Sequence, residues 1–288
     1  MQLETRVDSP DPPALSARDE FVQAAVGYLL GERVPAAREA VGGDSGEAPP
    51  GRRASSRGGA GRALPDRPAA SALGVRLVAE LTGRSHAAPL FHFPDRLSLL
   101  AAVAAEGFRR QVAWVREHTA PDANPLSATW SGAERLREAL FAYVRWVSSA
   151  PALWVAMYEP DFAPVMELFM TRDGQELALL EGLTGLFGGD AKAARRRLQA
   201  YQSLYDAKMA ALLHFLMLVD AGQRDGSLRG DVPASVLSHA AVAVADGLAW
   251  QRVTEHQFTE AWLDVHARHV IAMVFEGLAT RPGGDDDG

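Results

Sequence analysis

The sequence predicts an all-α protein, and two observations carry that prediction. Apolar residues recur at three- and four-residue steps, as in Phe21, Ala24, Ala25, Tyr28 and Leu29, or Leu73, Leu77 and Leu81. No stretch alternates apolar with polar residues, and no Asn-Gly hairpin signal joins two such stretches. With 288 residues, 48% of them hydrophobic, the chain can bury a core in one large domain or two modest ones.

Taken in order, the first predicted helix is ARDEFVQAAVGYLLGE, with its apolar face on Phe21, Ala25, Tyr28 and Leu29. From Arg38 to Ala70 the chain is dense in Gly, Pro, Ser and Arg with almost no large apolar residue, the composition of a disordered insertion. A helix follows over 73–82 and ends at Gly83, a residue suited to the left-handed conformation of a tight turn. Ser85 is placed to cap the next helix, which is only about two turns long because Pro94 stops it. Two helices joined so tightly have helix-turn-helix spacing, and the small residues after His86 allow close approach to a partner.

Asp95 caps a helix running to about His118, where PDANP breaks the chain. Ser131 starts another, stopped by Pro151. Shorter helical pieces cover 153–159, 161–170 and 175–187; long ones cover 190–221, 233–254 and 259–280, and residues 281–288 read as a tail. The expected organisation is an N-terminal domain over 14–110 interrupted at 38–70, then a helical domain over 111–280.

Composition excludes several functions. Without cysteine there is no disulfide framework, thiolate metal site or catalytic thiol. The acidic, proline-containing start is unlike a signal peptide, and no apolar run reaches membrane-spanning length, so a cytoplasmic protein with no membrane partner is expected. The net charge of −7 is unevenly spread: residues 1–120 carry 15 Arg, no Lys and 14 acids, and the remainder 14 basic against 22 acidic residues. The net charge would ordinarily argue against a nucleic-acid partner, but the two parts differ weakly in sign, net +1 and net −8. GDSG at 43–46 resembles a serine-protease motif but lies in the low-complexity stretch with no strand to strain it. GGAGRA lacks the third glycine of a dinucleotide loop, and His266 with His269 are better explained by packing than by a metal. No base–nucleophile set emerges, so neither an enzyme nor a cofactor is expected.

GRSHAAPLFHFPDRLSLLAAVAAEGFRR resembles the signature of the TetR/AcrR-type transcriptional regulators, through Gly83, Ser85, Ala88, His92, Phe93, Arg96 and Leu99. The likeness extends back through VRLVAELTG and ARDEFVQAAVGYLLGE. It reaches forward through AYVRWVSSAPALWVAMYEP and AVAVADGLAW, which are similar to the ligand-binding half of the branch with a WHG-type C-terminal domain. The sequence departs from that pattern at three places: Leu90 stands where the family places a phosphate-bonding Tyr, the 38–70 insertion lengthens the first connection, and Asp246 stands where this branch often has His.

The resemblance implies a helix-turn-helix unit followed by a bundle that binds a ligand and dimerises. Its DNA-binding residues would be Arg76, Ser85, His86, Ala87, Leu90, Phe91, His92 and Arg96. Arg96 is expected to hold a phosphate, since a cation at a helix start wants an anion nearby; His92 is equally readable as a phosphate contact or a solvated surface residue, and Phe93 as core. Arg52, Arg53, Arg57, Arg62 and Arg67 read as a solvated insertion rather than a DNA-tracking arm. Trp154, Met157, Tyr158, Phe162, Met166, Met170, Tyr201, Tyr205, His214, Asp246 and Trp250 would supply an apolar pocket with a few orienting polar groups. Trp262, Val265, His266, His269, Val270 and Met273 would form the interface of a homodimer.

The implied function is a ligand-responsive regulator, a repressor binding a palindromic double-stranded operator as a nucleoid-associated dimer and released by a small apolar or aromatic effector. Helix 95–118 joins the two domains and is expected to carry the change. The alternative is a ligand-binding dimer of this fold that has lost sequence-specific DNA binding.

Overall fold

A computed structural model describes residues 15–32, 69–171, 175–254, 261 and 263–278, and the backbone among them is all-α with no strand. The 38–70 insertion, apart from its last two residues, and the C-terminal tail lie outside the described residues. The helices, in chain order, are α1 Ala17–Leu29, α2 Val75–Leu81, α3 Arg96–Thr119, α4 Gly132–Ser149, α5 Pro151–Met157, α6 Ala163–Thr171, α7 Glu176–Phe187, α8 Ala191–Arg224, α9 Ala234–Thr254 and α10 Arg268–Leu278.

Local chemistry sets most of these boundaries. Asp95 and Ser131 each accept the third backbone N–H of their helix, and Ser98 and Glu134 reciprocate, so α3 and α4 begin in full capping boxes. Ser16 and Asp190 cap α1 and α8 through their side chains. Gly83, at φ +65°, turns the chain after α2 in a conformation that a side chain would strain. A π turn over Leu263–Ala267 precedes α10, so the helix expected over 259–280 is irregular within its described residues.

α3 and α8 form the axis of the molecule and run parallel. Asp95 meets Arg197 at their first turns, and Arg116 acts electrostatically on His214 further along. α4 packs across both and against α9, with Trp114 of α3 donating to the Ala142 carbonyl at 3.1 Å. The start of α4 touches the end of α8 backbone to backbone: a Cβ at Gly132 would overlap Gly222, while the Gly132 N–H donates to Asp225 at 2.6 Å. α1 lays Phe21, Ala25, Val26 and Leu29 against α3. Its polar side is tied by Gln23 to Arg110 (2.6 Å) and by Glu20 to Arg84 (2.7 Å). One hydrophobic core runs from Phe21 and Phe93 through α3 to Phe215 and Phe275.

Candidate functional site

Three neighbourhoods hold the residues singled out by the sequence. The first follows Gly83. Ser85, His86 and Ala87 are exposed, as are Leu90 (46%) and Phe91 (70%), whereas Pro89 and Phe93 are buried. The expected two-turn α-helix is a single turn at 86–88 followed by a 3-10 turn over Pro89–Phe91. Pro89 has no N–H to give and Pro94 closes the segment, so too few residues remain for an i→i−4 ladder. The Ser85 side chain does not cap it; its carbonyl accepts the Ala88 N–H at 2.9 Å. Arg76 stands exposed on α2 in a surface pair with Glu80.

Arg96 behaves differently from the expected phosphate contact. Its Nε donates to the Leu73 carbonyl (2.8 Å) and its Nη2 to the Ala70 carbonyl (3.0 Å), with Glu159 at 3.9 Å. The guanidinium, with five donors in a rigid fork, bridges the Leu73 carbonyl and the Ala70 carbonyl, which also accepts the Leu73 N–H at 3.1 Å. His92 is half-buried between the rings of Phe21 (5.8 Å) and Phe93 (6.5 Å), so it belongs as much to the small core as to the surface.

The second neighbourhood gathers Trp154, Tyr158, Asp246 and Trp250 around Tyr143, which the sequence reading missed. The Tyr143 hydroxyl donates to Asp246 Oδ1 at 2.5 Å and accepts from Trp154 Nε1 at 2.8 Å. The Tyr158 hydroxyl approaches it at 3.5 Å. Trp154 lies between Tyr158 (5.0 Å) and Trp250 (6.1 Å). Burial holds the Asp246 carboxyl above the ordinary aspartate range, against the opposing pull of the Tyr143 hydrogen bond and the Lys208 ammonium. Burial also pushes both phenols up. Tyr143 carried a signal, because a tyrosine on the inward face of α4 needs a partner for its hydroxyl.

The other expected pocket residues sit elsewhere. Phe162 meets Tyr201 edge-on at 6.5 Å, Tyr205 stacks on Phe169 at 5.4 Å, and Met166 is buried beside them in the core cluster. Met157 fills the space left by Gly107 on α3. His214 sets its ring on Phe215 with Nε2 buried and unbonded, and burial lowers its proton affinity. Met170 is 62% exposed and lines no interior wall. No group of three or more metal-ligating side chains occurs among the described residues.

The third neighbourhood is an apolar outer face. A cavity of about 530 Å³ opens between α8 and α9, walled by Met209, Leu212, Leu213 and Leu216 and edged by Asp206, Ser235, Ser238 and His239. The sequence signal for it was that α8 is apolar on two sides: Ala207, Ala211 and Phe215 face inward while Leu213 and Met217 face out. Val236 and Trp250 on α9 and Val265 and Met273 near α10 extend this exposed apolar surface. His266 and His269 are exposed near Val265 and Met273, and Val270 is half-buried against the core rather than aligned with them. Val270 follows Ile271 and Phe275 inward because α10 has already turned its face after the π turn. The side chain of Trp262 lies outside the described residues.

No family model and no curated protein matches the chain. Among solved structures, a protein with unknown function from Rhodococcus sp. RHA1 is similar at 19% identity and a TM-score of 0.48, covering 94% of this chain and 100% of that one. No helix among the described residues is long and apolar enough to cross a membrane.

Proposed function

We propose that the protein is a TetR-like, homodimeric transcriptional regulator, a repressor released from a palindromic operator by a small apolar or aromatic effector. The observation that carries this reading is the segment after Gly83. It is presented at the surface by two packed helices, with Ser85, His86, Ala87, Leu90 and Phe91 outward and Phe93 locked in the core. A small backbone-exposed turn packed beside α2 suits entry into a major groove. With Arg96 engaged internally, the phosphate contacts fall to Arg76 and His92, and His86 reads base edges. The effector pocket is the Tyr143–Trp154–Tyr158–Asp246 cluster, whose rings bind apolar surface while the carboxylate orients a polar group. The second copy docks on the apolar face of α9 and α10, where Ala240, Ala243 and Gly247 permit close helix approach. The protein acts on the nucleoid inside the cell, with no catalytic role.

A second reading is favoured by one observation. Leu90 and Phe91 put exposed apolar side chains where a phosphate-bonding hydroxyl would serve DNA, which suits a ligand-binding dimer that has lost its operator. Selection of genomic fragments on the purified dimer separates the two. The regulator binds a palindromic duplex with steep salt dependence; Arg76→Ala weakens all sequences alike and His86→Ala changes base preference. If no fragment binds better than random DNA while fold and dimer stay intact, the second reading stands.

A further inference from the structure

Of two consecutive arginines near the start of α8, Arg196 reaches the segment assigned above to DNA and Arg197 the cap of the helix that follows it. Arg196 Nη1 donates to the carbonyls of Leu90 (2.9 Å) and Phe91 (3.0 Å). These carbonyls end a 3-10 turn that has no following helical N–H to satisfy them, so Arg196 caps the turn from another element. Arg197, 8% exposed, donates through Nε to Asp95 Oδ2 at 2.7 Å and through Nη1 to the Gly188 carbonyl at 2.8 Å. It also lies over the Phe187 ring at 5.3 Å. The other Asp95 oxygen caps α3 through the Ser98 N–H at 2.7 Å. One carboxylate therefore fastens the start of α3 to the start of α8.

The 85–93 segment has little internal scaffolding. Its amides at Leu90, Phe91, His92 and Phe93 bond only to carbonyls of Ala87, Ala88 and Pro89 within the same short segment. A segment held by local bonds takes its position from the neighbours that grip it. Phe93 in the core fixes one end, and α8 fixes the carbonyl side.

We propose that Arg196 is a latch through which α8 sets the position of residues 85–91, with Arg197 anchoring the start of α8 on Asp95, so that a change in α8 acts on the DNA-facing turn through the Arg196 bonds and not only through α3. The latch rests on the functional reading above for its purpose but not for its test. Tyr201 and Tyr205, one and two turns beyond the latch, and His214 and Lys208 further along place α8 against both aromatic neighbourhoods. An occupant there that displaces α8 pulls on the carbonyls of Leu90 and Phe91.

Amide hydrogen exchange on the full-length free protein reads this without DNA or effector. Arg196→Ala removes both carbonyl contacts, and exchange at residues 90–93 rises on the order of tenfold while α3 and α9 amides keep their protection. Arg196→Lys, which retains a cationic donor, restores part of that protection. Ala207→Met enlarges a buried residue three turns beyond the latch. It speeds exchange at 85–93 in the parent protein and adds nothing in the Arg196→Ala background. Unchanged protection in Arg196→Ala, or an equal effect of Ala207→Met in both backgrounds, overturns the latch. If Ala207→Met does not fold, the Arg196→Ala and Arg196→Lys pair decides alone. A latch that passes these tests in a protein that binds no duplex leaves the latch standing and removes the regulator reading; a protein that binds duplex with unaltered exchange does the reverse.

Discussion

Removing one oxygen, by Tyr143→Phe, tests whether the polar cluster between α4, α5 and α9 is a single unit. The hydroxyl is fully buried, donates to Asp246 at 2.5 Å and accepts from Trp154 Nε1 at 2.8 Å. Its loss leaves a buried indole N–H without an acceptor and a half-buried carboxylate short of a donor. A hydrogen bond to a charged group contributes about 1.5–3 kcal/mol, and an orphaned buried donor costs about 1–3 kcal/mol. The two overlap because one atom serves both. Tyr158 and solvent reach Asp246 and recover part of the loss, so the net destabilisation is about 2–3 kcal/mol. For a chain of this size that lowers Tm by roughly 4–12 °C. Urea unfolding followed by circular dichroism and tryptophan fluorescence measures it. The double variant with Asp246→Asn shows a smaller tyrosine effect, because one of the two partners is already altered. A loss below about 0.5 kcal/mol, or strict additivity with Asp246→Asn, refutes the cluster as a unit.

Gly132→Ala drives a methyl group into the Gly222 backbone, which cannot rotate aside, and costs about 1–3 kcal/mol despite alanine's better helix propensity; urea denaturation reads the sign. Asp246 has a folded pKa above its unfolded one, so its contribution to stability is complete below the unfolded value of about 3.9 and is lost as pH rises through the folded value. The stability of the parent minus that of Asp246→Asn therefore falls with rising pH across the acid range; a difference that rises instead places the carboxyl below its ordinary value. Met273→Glu, on a side chain already 62% exposed, leaves the monomer folded and halves the sedimenting mass; an unchanged mass moves the interface off α10.

What the sequence disclosed was local. Asp95 and Ser131 announce the starts of α3 and α4 because capping is a four-residue event, and Gly83 announces its turn because only its own backbone is at stake. The 85–91 segment misled because helix-turn-helix spacing suggested a helix, while two prolines within ten residues limited it to a 3-10 turn. Arg96 read as a phosphate ligand because its partners, the Leu73 and Ala70 carbonyls, lie more than twenty residues back. Arg196 and Arg197 could not be read as a link to the 85–95 segment, because their acceptors Leu90, Phe91 and Asp95 are about a hundred residues earlier in the chain. Asp246, Trp154, Tyr158 and Trp250 were legible as residue types, but the meeting of the first three at Tyr143, with Trp250 against Trp154, depends on how α4, α5 and α9 cross. The outer cavity was hidden because a helix apolar on two sides looks like one buried on both.

The contact of Gly132 with Gly222 gives α8 a fixed point at one end, and the arginines hold it near the other. Between residues 196 and 222 the helix is a rod of about 39 Å at 1.5 Å per residue. Sliding along its axis is blocked, because it would drive the Gly222 backbone against α4 and break the Asp225 bond to the Gly132 N–H. Swinging about that contact keeps the glycine pair and the Asp225 bond in place and works instead against the buried side chains of α8, among them Tyr201, Leu204 and Phe215. A swing of roughly 5° carries the arginine end about 3 Å, the full length of a hydrogen bond. A pair of glycines far from any exposed turn thus opposes the slide of α8 and leaves the swing, the motion that amplifies.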